Sequence, residues 1–63
     1  MKRKVTQEEL NKVVQLFYKN VGKEVDMKNE YNLIQEKKSN LSRSQREAVI
    51  ALCDIAKEHN LEI

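Results

Sequence analysis

Ser42-Arg43-Ser44-Gln45-Arg46-Glu47-Ala48-Val49-Ile50-Ala51-Leu52-Cys53-Asp54-Ile55-Ala56-Lys57-Glu58-His59-Asn60 is the stretch that decides the fold. Ser42 and Gln45 have the spacing of a capping box, which opens a helix by satisfying its first free backbone N–H groups. Ala48, Val49, Leu52, Cys53, Ile55 and Ala56 then recur at helical intervals and form one broad apolar stripe. The small side chains of Ala48 and Ala56 let a neighbouring helix come close. Asn60 tolerates a left-handed backbone, and Leu61 stands where a Schellman motif places its apolar contact. The pattern predicts a helix over Arg43–His59 with more apolar surface than one packed face needs.

Upstream, the same reasoning finds two more helices. Thr6 and Glu9 repeat the capping-box spacing, and Val5 and Leu10 hold the staple positions on either side. Leu10, Val13, Val14, Phe17, Tyr18 and Val21 fill an arc of roughly 140° at about 100° per residue. Glu8 and Lys12 are a favourable pair one turn apart. Gly22 follows at the position of a left-handed C-terminal cap. The first helix is therefore expected over Gln7–Val21. Asp26 is a suitable cap for a second, weaker helix over Met27–Lys38. Its stripe is Met27, Tyr31 and Ile34, Lys37 and Lys38 complement the dipole at its end, and Ser39-Asn40 closes it.

Carrying the phase of the first stripe through Gly22 leaves Met27, Tyr31 and Ile34 about 90° away from it. A straight helix would then bury two different faces, which favours a break between Gly22 and Asp26. The fold class expected is all-α, a small three-helix bundle. The alternative is a continuous first and second helix, giving a helical hairpin that dimerises into a four-helix bundle. The core expected is Val13, Phe17, Val21, Tyr31, Ile34, Val49, Leu52 and Ala56.

With 63 residues, one glycine and no proline, the chain reads as a single domain, residues 1–63, with residues 1–5 a basic N-terminal arm. A domain this small buries only about 60% of its unfolded surface, so its margin of stability is thin. Small scaffolds often add disulfides, a metal or a second subunit. Cys53 is the single cysteine and His59 the single histidine, too few for a four-ligand zinc site. Self-association is the support that is left. No apolar run approaches the roughly 20 residues that span a bilayer. The charged start lacks the apolar core of a secretory signal, and the free thiol fits a reducing setting, so a cytoplasmic protein is expected.

Three large aliphatics fall off their stripes: Leu16, Leu33 and Ile50, one on each helix. They are the expected protein-interface residues, each contributing roughly 1.5–3 kcal/mol if fully buried by a partner. Lone exposed aliphatics are also ordinary on a small bundle.

The sequence does not carry the chemistry of an enzyme. Cys53 and His59 lie about 240° apart around their helix, so they do not face each other as a nucleophile and base would. Cys53 reads as a core residue and His59 as a favourable cation at a helix C-terminus. No glycine-rich loop is present to hold phosphate. No cofactor, metal, small-molecule substrate or membrane is expected as a partner. Nucleic acid is the alternative partner, through Lys2, Arg3 and Lys4 in the arm and Arg43 and Arg46 at the start of the third helix. Recognition helices read bases with their N-terminal residues. A net charge of only +2 gives that reading little support by itself.

The segment Leu41-Ser42-Arg43-Ser44-Gln45-Arg46-Glu47-Ala48-Val49-Ile50-Ala51-Leu52 resembles the helix preceding the helix-turn-helix in sigma-factor region 4 and related response-regulator domains. Asp54-Ile55-Ala56-Lys57-Glu58-His59-Asn60-Leu61 is similar to the first helix of that motif. The resemblance implies two separate helices here and a recognition helix after them. The sequence through Ile63 does not contain such a helix, so no DNA-reading residues are carried over. The function expected is a small regulator or adaptor that binds another protein through a helical face and self-associates.

Overall fold

The computed structural model describes residues 4–63. The fold is all-α, with helices α1 (Gln7–Val21), α2 (Met27–Gln35) and α3 (Arg43–His59). The longest, α3, is the central element. Both α1 and α2 pack on it, while α1 and α2 make no close backbone approach to each other.

Local chemistry sets most of the boundaries. At the start of α1, Thr6 Oγ1 accepts the Glu9 N–H at 3.2 Å. At the end, Gly22 takes a left-handed conformation (φ 88°) and its N–H donates to the Tyr18 carbonyl at 2.8 Å. That turn separates α1 from α2, so the two are not one continuous helix. Asp26 Oδ1 caps α2 by accepting the Asn29 N–H at 3.1 Å. At α3 the capping box is reciprocal: Gln45 N–H donates to Ser42 Oγ at 3.3 Å, and Ser42 N–H donates to Gln45 Oε1 at 3.1 Å. The other end is a Schellman motif around Asn60 (φ 56°), with Leu61 N–H donating to the Ala56 carbonyl at 2.8 Å.

α2 stops earlier than the sequence pattern predicts. It ends at Gln35 rather than Lys38, because Lys37 adopts a left-handed backbone (φ 60°). The Lys38 N–H donates to the Leu33 carbonyl at 2.8 Å and the Lys37 N–H to that of Ile34 at 3.1 Å, which completes a second Schellman closure. Lys37 and Lys38 therefore follow the helix instead of forming its last turn. Ser39 starts the connection to α3, its Oγ accepting the Leu41 N–H at 3.2 Å.

The core consists of Leu10, Val14, Phe17, Met27, Val49, Leu52, Cys53 and Ala56. Val21, Tyr31 and Ile34 pack against it half-buried, as do Val5 and Leu61. Val13 is the exception among the expected core residues, at 48% exposed. The buried side of α1 centres on Leu10, Val14 and Phe17, and Val13 lies on its flank. Of the other two helices only α3 approaches the α1 backbone closely, and one neighbouring helix covers a narrower strip than the full apolar arc.

A hydrogen-bonded clamp joins the two ends of this layout. The Gln7 side-chain amide donates to the Glu62 carbonyl at 2.7 Å, and its Oε1 accepts the Glu62 N–H at 3.0 Å. The start of α1 is thereby fixed beside the segment that follows α3.

Candidate functional site

Burial of one side of α1 on α3 leaves its flank open. Leu16 is 65% exposed and Val13, one turn away, is 48% exposed; these are the exposed large hydrophobic residues among those described. Glu8, Lys12 and Lys19 share that outer surface with Leu16. The expected Glu8–Lys12 pair forms at 3.8 Å between two solvent-exposed side chains, a geometry that contributes at most a fraction of a kcal/mol, about 0.3–0.5.

The other two off-stripe aliphatics are placed differently. Leu33 and Ile50 are half-buried and stand outside the core and the side chains packed on it. The structure does not gather Leu16, Leu33 and Ile50 into a single pocket.

The basic residues are also dispersed. Lys2 and Arg3 lie outside the described residues, and Lys4 is exposed. Val5 packs on the core, so the chain is already anchored one residue after Lys4. Arg43 is exposed and its Nε donates to Glu47 Oε1 at 3.4 Å. Arg46 is half-buried and lines a shallow pocket with Ile34, Lys37 and Ser39. Ser42 and Gln45, the polar neighbours of Arg43 and Arg46 at the start of α3, bond to each other's backbone in the cap. The resemblance to the sigma-factor region also meets a structural difference. Its two segments form one unbroken helix, Arg43–His59, where the motif requires two.

One concavity was not apparent in the sequence. An open groove of about 660 Å³ runs between α2, α3 and the segment after α3. Tyr31, Cys53, Ala56 and Leu61 line it with apolar surface, and Lys28 and Lys57 are its charged side chains. The Lys57 ammonium sits over the Tyr31 ring, 4.7 Å from its centroid, where the ring's negative face attracts a cation. Tyr31 and Lys57 are on different helices, so no periodicity in either segment could have paired them. Only the packing of α2 on α3 brings them together.

Cys53 lies in the wall of this groove but is itself buried. Its Sγ–H points to the Met27 carbonyl at 3.8 Å. Burial pushes its pKa up, the attraction of Lys57 opposes that rise, and Asp54 adds to it. The thiol is therefore kept protonated at neutral pH, the opposite of an activated nucleophile. Tyr18 is likewise raised, first by burial and then by the carboxylates of Glu24 and Asp26. Among the described residues no three His, Cys, Asp or Glu side chains are grouped to hold a metal ion. No helix of the described residues is long and apolar enough to cross a membrane.

Fold and surface define a small three-helix domain with an exposed apolar flank on α1 and a lysine-edged groove beside α2. No family model, curated protein or solved structure matches the chain at a significant level.

Proposed function

We propose that this protein is a small interaction module, a regulator or adaptor that binds a partner protein through the open flank of α1 and self-associates. It acts by occlusion or tethering, with no bond made or broken. The observation that carries this reading is the pair Val13 and Leu16, one turn apart and open to solvent on a helix that is otherwise well anchored. Large aliphatics at such a position gain most when a second helix covers them. Thin intrinsic stability in a domain of 63 residues points the same way.

The nucleic-acid alternative has less support. Ser42 and Gln45 at the start of α3 are engaged in its cap, and Arg43 is turned to Glu47. A salt titration separates the two readings, because phosphate contacts make affinity fall steeply with salt. Absence of binding at low salt eliminates the nucleic-acid reading.

The test of the interaction reading is Leu16→Glu, followed by solution mass across concentration and by capture of partners. The variant is expected to keep wild-type helicity and melting temperature while losing self-association and partner capture. If mass and captured proteins are the same as for the wild type, α1 is not the binding face.

A further inference from the structure

We infer that the groove between α2, α3 and the segment after α3 is a second docking site, for an acidic peptide segment of another protein bearing an apolar anchor. The site is distinct from the α1 flank and does not depend on it. Tyr31, Leu61 and Ile63, with the edges of Cys53 and Ala56, give an apolar bed to an open groove of about 660 Å³.

Charge complementarity selects the occupant. Both charged side chains lining the groove are lysines, and no Asp or Glu side chain lines it. Among the described residues neither Lys28 nor Lys57 is held in an ion pair, since those formed are Glu8–Lys12 and Arg43–Glu47. Lys57 is nonetheless biased toward the groove, because its ammonium rests over the Tyr31 ring at 4.7 Å. A cation biased toward an apolar bed needs less ordering to receive a carboxylate than a lysine free in solvent does. Asn32 and Asn60 add exposed side-chain amides at the same rim, able to bond a peptide backbone. An apolar side chain in the bed with carboxylates on either side satisfies all of these groups together. A basic segment, including the chain's own Lys2 and Arg3, would meet like charge there.

The probe is the synthetic peptide acetyl-Glu-Glu-Leu-Phe-Glu-Glu-amide, titrated into the full chain and followed by amide chemical shifts. Its counterpart carries glutamine at every glutamate. Saturable shifts are expected at Lys28, Tyr31, Lys57 and Leu61, with the glutamine peptide binding several-fold more weakly. Lys28→Gln and Lys57→Gln should each weaken the acidic peptide about two- to fivefold, the range of exposed ion pairs, with helicity unchanged. Added salt should weaken it further. The inference is overturned if no shifts saturate, or if both peptides bind equally. It is also overturned if the shifts gather around Leu16, a result that would instead favour the α1 flank as the binding surface.

Discussion

Two residues with left-handed backbones make opposite predictions. Gly22 (φ 88°) has no heavy atom within 4 Å of where a Cβ would stand. The cost of Gly22→Ala is therefore one of backbone conformation alone, about 1–2 kcal/mol. Lys37 (φ 60°) already bears that cost, so Lys37→Gly should stabilise the protein by up to about 1 kcal/mol, less the added entropy of the unfolded chain. Urea unfolding of the two variants should show midpoints moving in opposite directions with unchanged slopes. The same pair marks what could be read from the residues. Gly22, Thr6, Asp26, Ser42 and Asn60 were legible as caps because their chemistry acts within a few residues of chain. Lys37 was not, since lysine has no preference for the left-handed region. Its left-handed turn goes with the two bonds beyond the helix, in which the Leu33 and Ile34 carbonyls accept the Lys38 and Lys37 N–H groups, and nothing in the lysine side chain announces it.

At the scale of the element, α1 presents one anchored side and one free side. Leu10 is 2% exposed and Leu16 is 65% exposed on the same helix. Leu10→Ala should cost about 2–5 kcal/mol, most of the stability that a domain of this size has. Leu16→Ala should change it by less than about 0.5 kcal/mol. Urea denaturation of the two variants measures this contrast directly, and a large loss from Leu16→Ala would mean that the flank is covered in solution. The helix itself was legible from end to end, and so was the off-stripe position of Leu16. The place of Val13 was not, because the apolar arc spans more than α3 covers and the sequence does not say that the α2 backbone stays clear of α1. The groove was hidden for a related reason: it exists only where α2, α3 and the segment after α3 meet.

Across the whole molecule, α3 organises the packing and the Gln7–Glu62 clamp holds its periphery. Most close residue pairs are local in sequence, which favours fast folding, although the docking of α1 on α3 is long-range. The clamp differs, because it joins residues separated by nearly the whole chain, and its two hydrogen bonds are exposed. Removing them with Gln7→Ala should cost about 1 kcal/mol. Forming so wide a loop before α1 has docked on α3 would cost chain entropy with little return, so the clamp is expected to close late, after the folding barrier has been crossed. Stopped-flow measurements should then find that Gln7→Ala leaves the refolding rate nearly unchanged and accelerates unfolding about fivefold. Leu61 and Ile63, on either side of Glu62, are walls of the groove. One glutamine is thus placed as a latch on that wall: it bonds the residue between Leu61 and Ile63 from the far end of the chain and is not itself among the residues lining the groove.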